Sequence, residues 1–170
     1  MIRTFTAAIM MLLSVTLFET LVFTNITFLP TLPDLTMLAV MYLSLHNGPL
    51  FGETSGFLSG LMLDFLTSGP FGLNCFMRTI IGFLSGLFHR AINTRFFLVH
   101  MALGFFGVLL KALLRFFLAF VYPNSNIVTY DIFSIQFASE LGLNAAAAPL
   151  VFWILSWTRN LLILPKERNL

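Results

Sequence analysis

The stretch from Gly48 to Asn74, GPLFGETSGFLSGLMLDFLTSGPFGLN, displays the organising pattern of the chain. Its apolar run from Leu50 to Leu66 lies between two turn signals, at residues 46–49 and 67–70. A helix that crosses a membrane needs roughly 20 mainly apolar residues. The run therefore predicts a short transmembrane helix that ends in a tight turn.

The composition of the whole chain has the same character. Of its 170 residues, 58% are hydrophobic and 9% are charged, whereas a soluble domain carries about 25% charged residues. This composition excludes a water-soluble enzyme domain and a disordered chain. The net charge of only +2 also argues against nucleic-acid binding. Six membrane helices would use roughly 120 residues, so we expect residues 1–170 to form a single integral membrane domain.

Turn signals and polar clusters divide the chain into apolar segments. We predict six spans, at Thr4–Thr24, Leu32–Leu45, Leu50–Leu66, Phe71–Phe88, Phe96–Tyr122 and Glu140–Leu164. The predicted fold class is all-α, a polytopic bundle of six transmembrane helices. Residues 127–139 are expected to form a loop with an interfacial helix. The first segment is followed by no small-residue cleavage site, so we interpret it as a retained helix and not a signal peptide.

Basic residues fall on one side of this topology. The two tails and the loops at 46–49 and 89–95 share that side, and the other loops contain no Lys or Arg. The basic residues in question are Arg3, Arg90, Arg95, Lys166 and Arg168. The positive-inside rule therefore places both termini in the cytoplasm. The alternative, five spans with an interfacial second segment, would put Arg3 opposite the other basic residues.

Glycines recur every four residues in two of the predicted spans. They are Gly52, Gly56 and Gly60 in the third span and Gly82 and Gly86 in the fourth. Positions four apart share a helix face, and small residues there let membrane helices approach closely. The hexapeptide GFLSGL occurs in both spans, at 56–61 and 82–87. We predict that the glycines pack these spans together; a groove for an outside partner helix is the alternative.

Six ionisable side chains are predicted in the outer half of the membrane, where each requires a partner or water. They are Glu19, Asp64, Arg78, Lys111, Arg115 and Glu140. Asp64 and Arg78 flank the turn at 67–70 at similar depth, so we expect them to pair. Lys111 and Arg115 share a helix face, and the remaining two acids are their expected partners. The set either stabilises the bundle interior or forms a substrate path, a proton path or a polar dock for partner helices.

Residue types that carry catalysis or bind metals are not arranged for either role. His46, His89 and His100 lie near predicted helix ends without a metal-binding spacing, so we expect them to be solvated boundary residues. Cys75 is the only cysteine, which excludes an intrachain disulfide. We therefore predict no catalytic residue, no cofactor and no metal, and a protein that is not an enzyme.

One ordered set of short motifs covers residues 33–74. Its members are Pro33-Asp34-Leu35, Gly48-Pro49, Gly52, Gly56-Phe57, Gly60-Leu61, Asp64 and Ser68-Gly69-Pro70-Phe71-Gly72-Leu73-Asn74. This set resembles the bacterial rod shape-determining protein MreD family. The resemblance implies an inner-membrane component of the cell-elongation machinery. Its implied partners are the bitopic protein MreC, the actin-like MreB, the glycosyltransferase RodA and a class B penicillin-binding protein. It also implies a fold similar to the six-helix substrate-binding subunits of energy-coupling-factor vitamin transporters.

Two functions follow as hypotheses. The first is a non-enzymatic assembly protein that binds partner membrane helices and positions peptidoglycan synthesis, with Gly52, Gly56, Gly60, Asp64 and Arg78 as expected contacts. The second is a substrate-binding subunit of a vitamin transporter, with the outer charges around a ligand cavity. Such subunits usually carry an Ala-x-x-x-Ala patch in the first span, and residues 7–12 of this chain lack it. The first hypothesis is therefore favoured.

Overall fold

The computed structural model describes residues 2–23, 31–92, 94, 96–123, 127, 129, 131 and 134–164. Within these ranges every regular element is an α-helix. The helices are α1 (Ile2–Phe23), α2 (Leu35–Asn47), α3 (Pro49–Leu66), α4 (Leu73–Leu87), α5 (Phe97–Val121), α6 (Ile135–Trp157) and α7 (Arg159–Leu162).

The six longer helices lie on the six predicted apolar segments. Three of them, α1, α5 and α6, contain stretches that are long and apolar enough to cross a membrane. The all-helical architecture is therefore that of a helical membrane protein. The count of six crossings stays a prediction, because α2, α3 and α4 are shorter or more polar.

The sixth helix differs from its predicted bounds. It begins at Ile135, within the segment that we expected to be a loop with an interfacial helix, and it ends at Trp157. The Ser134 hydroxyl accepts a hydrogen bond from the Phe137 amide at 3.1 Å, which is a standard N-cap. The polar residues of the first two turns hide this start in the hydropathy pattern. Thr158 separates α6 from the short α7.

Helix α2 occupies the centre of the bundle. All of its side chains from Thr36 to Leu45 are buried, and it packs against α1, α3, α4, α5 and α6. A helix at a membrane surface leaves one polar face in contact with water and headgroups. Helix α2 therefore has no polar face of this kind among its residues from Thr36 to Leu45, while the choice between six and five spans stays a prediction.

The turn between α2 and α3 requires a glycine. Gly48 has a φ of 93°, in the region that side chains with a Cβ rarely adopt. Pro49 follows as the first residue of α3, where its missing N–H is not needed. The two helices therefore reverse direction within two residues.

Helices α3 and α4 meet along their glycines. A Cβ added at Gly52, Gly56 or Gly60 would overlap backbone atoms of α4, and one added at Gly82 or Gly86 would overlap backbone atoms of α3. We term these five residues the glycine seam. The structure thus places the glycines that spacing singled out inside the molecule, between two of its own helices.

The outer surface of the bundle is rich in aromatic side chains. On α5, Phe106, Phe116 and Phe120 are 63%, 65% and 80% exposed. A monomeric soluble protein rarely exposes so continuous an apolar surface. This surface is suited to contact with lipid or with another membrane helix.

Candidate functional site

Four charged side chains, three buried and one partly buried, meet at the end of the bundle where α2, α4 and α6 begin. They are Asp34, Arg78, Lys111 and Glu140, and we term them the charge cluster. Each comes from a different helix or its cap, and none of the four side chains is more than 12% exposed. Charges in a low-dielectric interior require compensating partners, so the arrangement of the four determines whether this end of the bundle is stable.

Asp34 is the hub of the charge cluster. One of its carboxylate oxygens lies 2.7 Å from Nη2 of Arg78 and the other lies 2.9 Å from Nζ of Lys111. The first oxygen also accepts a hydrogen bond from the Met37 amide at 2.9 Å, which caps the N-terminus of α2. Asp34 therefore joins α2, α4 and α5 through a single carboxylate.

Lys111 extends the charge cluster to α6. Its ammonium group lies 3.0 Å from Oε1 of Glu140, so it bridges two carboxylates. Asn144, one turn further along α6, accepts a hydrogen bond from the Asp34 amide at 3.0 Å. Of the pairings expected from spacing, Lys111 with Glu140 is therefore present.

Asp64 has a different environment from the expected one. Its carboxylate accepts hydrogen bonds from the amides of Gly72, Asn74 and Cys75 at 3.0 to 3.1 Å. These amides open α4, whose N-cap residue, Gly72, offers no side chain. The first amides of a helix lack partners within it, so the carboxylate at the end of α3 supplies them. Arg78, the partner expected for Asp64, pairs with Asp34 instead.

Glu19 and Arg115 lie beside the charge cluster. Glu19 accepts hydrogen bonds from the Thr36 amide at 3.0 Å and the Thr36 hydroxyl at 2.7 Å, which joins α1 to the first turn of α2. Arg115 follows Lys111 by one turn of α5, and both line the cavity described next. We expected Glu19 to pair with Lys111 or Arg115 on α5. Among the described residues, its carboxylate bonds to Thr36 instead.

A cavity of about 730 Å³ adjoins the charge cluster. Its walls include Glu19, Asp34, Arg78, Lys111 and Arg115, together with residues 67–70 of the turn between α3 and α4. Arg78 is 3% exposed, and its Nη1 atom has no hydrogen-bond partner in the described part of the chain. A buried donor in this state is normally satisfied by water or by a bound acceptor.

The chemistry available here is charge compensation and hydrogen bonding. No group of three or more His, Cys, Asp or Glu in the described ranges is placed to hold a metal ion. The carboxylates accept bonds from cations or amides, which keeps them fixed. Such an arrangement is suited to holding helices in register and to receiving a polar group at its open side.

Asp34 is the residue that sequence reasoning missed. We include Asp34 in the motif Pro33-Asp34-Leu35 but not among the six ionisable side chains expected in the outer half of the membrane. Asp34 stands immediately before the apolar run of α2. An acid at this position predicts an N-cap that accepts a hydrogen bond from the amide three residues later. That signal predicts the bond to Met37, but not the two ion pairs.

A comparison with protein families matches residues 1–161 to the family described as rod shape-determining protein MreD. The chain belongs to the MreD family. The resemblance drawn from residues 33–74 is thereby confirmed, and it extends over most of the chain. No curated protein and no solved structure matches the chain in the other two comparisons.

MreD membership makes the chain a rod shape-determining membrane protein, and its three long apolar helices agree with this. The residues of the glycine seam join α3 to α4, and those of the charge cluster join α2, α4, α5 and α6. These two features lie side by side, because Arg78 of the charge cluster is also the residue whose carbonyl contacts Gly56.

Proposed function

We propose that this MreD family protein is a non-enzymatic assembly component of the cell-elongation machinery in the bacterial inner membrane. It binds partner membrane proteins and helps to position peptidoglycan synthesis. The observation that carries the proposal is the family match over residues 1–161. The architecture supports it, because Asp34, Arg78, Lys111 and Glu140 join four helices through ion pairs, and the outer face of α5 exposes large aromatic side chains.

The proposed topology is six crossings with both termini in the cytoplasm, in a bundle like that of energy-coupling-factor substrate-binding subunits. Two hydrogen bonds support a common location for the chain end and the α2–α3 turn. Asn47 donates to the Leu162 carbonyl at 3.0 Å and accepts from the Leu164 amide at 2.7 Å. Arg3, Arg90 and Arg159 are exposed, and the positive-inside rule assigns such basic residues beside the spans to the cytoplasmic side.

The proposed partners are an MreC-like bitopic protein, an MreB-like actin, a RodA-like glycosyltransferase and a class B penicillin-binding protein. The glycine seam is filled by the protein's own helices, so a partner helix requires another face. We propose the cleft between α4 and α5 for the single transmembrane helix of the MreC-like partner. This cleft of about 440 Å³ is lined by Leu84, Phe106 and Leu110, with Gly107 at its base. An apolar helix replaces lipid there without desolvating any charge.

Site-specific photocrosslinking in growing rod-shaped cells tests this proposal. A photoreactive residue at Phe106 should yield a covalent adduct with the MreC-like protein. The matched control is Phe116, which has the same side chain on the same helix, is equally exposed and lies outside the cleft. Equal adducts at both positions would contradict the cleft assignment. Normal rod shape after depletion of the protein would contradict the proposed function itself.

The second candidate function is a substrate-binding subunit of a vitamin transporter. The cavity of about 730 Å³ beside the charge cluster favours it, since small-molecule sites commonly have about 300–1,000 Å³. Affinity purification from membranes distinguishes the two functions. Recovery of wall-synthesis proteins supports the assembly role, whereas recovery of an ATPase coupling module supports the transporter role.

A further inference from the structure

A second cavity lies at the opposite end of the bundle from the charge cluster. It has a volume of about 760 Å³ and is lined in part by Tyr42, His46, His89, Arg90, His100 and Arg159. We term it the basic pocket. None of the described residues that line it carries a carboxylate. The cavity beside the charge cluster, by contrast, contains two carboxylates. The two ends of the molecule are therefore built for different ligands.

The histidines of the basic pocket form hydrogen bonds with backbone carbonyls. Nδ1 of His46 lies 2.8 Å from the Tyr42 carbonyl, and Nδ1 of His89 lies 2.8 Å from the Leu45 carbonyl. A carbonyl only accepts, so each ring donates there. The carbonyl end of a helix repels an anion, and these two bonds satisfy part of that end of α2. His100 likewise donates from Nε2 to the Thr94 carbonyl at 2.9 Å. The three histidines expected at the solvated boundary are thus half-buried, and each bonds to a backbone carbonyl.

The Tyr42 hydroxyl is an unused donor in this pocket. Tyr42 is 2% exposed, and its hydroxyl has no hydrogen-bond partner within the described part of the chain. Its ring is fixed between His46, at a centroid distance of 4.3 Å, and Phe152, at 5.3 Å. Buried tyrosine hydroxyls usually bond to an acceptor. The described lining of the pocket has two arginines and no carboxylate, so the acceptor that fits is an anion.

The walls of the basic pocket continue onto the outer surface of the bundle. Phe97, Leu150 and Trp153 line it and are 63%, 62% and 56% exposed. A ligand that uses both parts has a negatively charged group beside an apolar portion. This combination is that of a membrane lipid with a phosphate group, and an acyl chain would lie against the three exposed side chains.

We propose that the basic pocket binds the phosphate group of an anionic phospholipid. The Tyr42 hydroxyl and the guanidinium groups of Arg90 and Arg159 donate hydrogen bonds to the phosphate, and charge-assisted bonds of this kind are the stronger ones. Nε of Arg90 also donates to Nε2 of His89 at 3.1 Å, which orients the guanidinium. Phe97, Leu150 and Trp153 contact the acyl chain. The phosphate donors lie outside the α4–α5 cleft, although the linings of the two sites share Leu45 and Ile92. Only the assignment to the cytoplasmic leaflet rests on the proposed topology.

Native mass spectrometry of the delipidated full chain in a nonionic detergent tests the proposal. The probe is palmitoyl-oleoyl phosphatidylglycerol, and the neutral comparison is palmitoyl-oleoyl phosphatidylcholine at the same concentration. The double variant Arg90→Gln/Arg159→Gln should lower phosphatidylglycerol affinity about tenfold or more, the effect of losing charged hydrogen bonds. Arg3→Gln, an exposed arginine outside the pocket, should leave the affinity unchanged.

Tyr42→Phe separates ligand binding from a structural role. Loss of an unpartnered buried hydroxyl should raise the unfolding temperature of the lipid-free protein, while the affinity for phosphatidylglycerol falls several-fold. A lower unfolding temperature with unchanged lipid binding would overturn the role of the hydroxyl. Equal binding of the two lipids, or full binding by the double arginine variant, would overturn the site. Displacement of the lipid by equimolar inorganic phosphate would assign the pocket to free phosphate instead.

Discussion

At the scale of single residues, the carboxylate of Asp34 pairs with two cations and caps one helix. Asp34 bonds to Arg78, Lys111 and the Met37 amide. Loss of this carboxylate would leave two cations in the interior with fewer partners. Breaking a buried ion pair typically destabilises a protein by about 3–5 kcal/mol, because the remaining charge stays desolvated.

A double-mutant cycle between Arg78→Ala and Asp34→Ala tests this pairing. We expect a coupling energy of about 2 kcal/mol or more, since the two side chains are in direct contact. The matched cycle pairs Arg78→Ala with Asp64→Ala, and its coupling should stay below about 0.5 kcal/mol. The measurement is the free energy of unfolding in mixed detergent micelles. A larger coupling to Asp64 than to Asp34 would reverse the assignment.

The carboxylate of Asp64 caps the N-terminus of α4, whereas that of Asp34 pairs with cations. The variant Asp64→Ala removes the acceptor of three amides that open α4, so it should destabilise the protein by about 1–3 kcal/mol. The control is Glu53→Ala, which removes an acid from the same helix and should have an effect within about 0.5 kcal/mol. Equal losses of unfolding free energy in the two variants would contradict the capping role.

The sequence predicts residues of this site to different extents. Membrane insertion energies make Arg78, Lys111 and Glu140 conspicuous in apolar segments, so their need for partners is predictable. Their choice of partners is not, because it depends on which helices are neighbours and on the depth of each side chain. Asp34 was missed because it lies at a segment edge, where an acid looks like an ordinary helix cap.

At the scale of helices, the molecule is organised around the α3–α4 hairpin and the buried α2. The glycine spacing was sufficient to predict which helices approach closely, because positions four apart share one face. The start of α6 was not predictable from hydropathy, since its first turns contain Gln136 and Ser139. A cap at Ser134 and contacts between elements decide that boundary. Thr31 and Ser139, whose hydroxyls lie 2.6 Å apart, form one such contact.

Alanine substitutions test the glycine seam. Gly56→Ala and Gly82→Ala each place a methyl group against the backbone of the facing helix, so each should lower the free energy of unfolding by about 1–3 kcal/mol. The control is Gly142→Ala on α6, where an added methyl group meets no atom within 4 Å. That change should be neutral or stabilise by up to about 1 kcal/mol through helix propensity. Similar destabilisation in all three variants would contradict the seam.

At the scale of the whole molecule, the two polar cavities lie at opposite ends, and the outer face of α5 between them exposes large apolar side chains. The charge cluster and its cavity occupy one end, and the basic pocket, the chain end and the α2–α3 turn occupy the other. This distribution matches a membrane, with water at both faces and hydrocarbon between them. The α4–α5 cleft shares no lining residue with the cavity beside the charge cluster, so a partner helix there leaves that cavity open.

In the proposed topology, the bundle crosses the membrane with its charge cluster outward and its termini inward. Labelling with a membrane-impermeant maleimide in spheroplasts tests it most directly, on single cysteines introduced in a Cys75→Ser background. The three positions are Ser68, in the turn beside the charge cluster, and Arg3 and Arg159, near the two chain ends. The account predicts that Ser68→Cys is labelled in intact spheroplasts and that Arg3→Cys and Arg159→Cys are labelled only after permeabilisation. Labelling of Arg3→Cys and Arg159→Cys from opposite faces of the membrane would contradict the account.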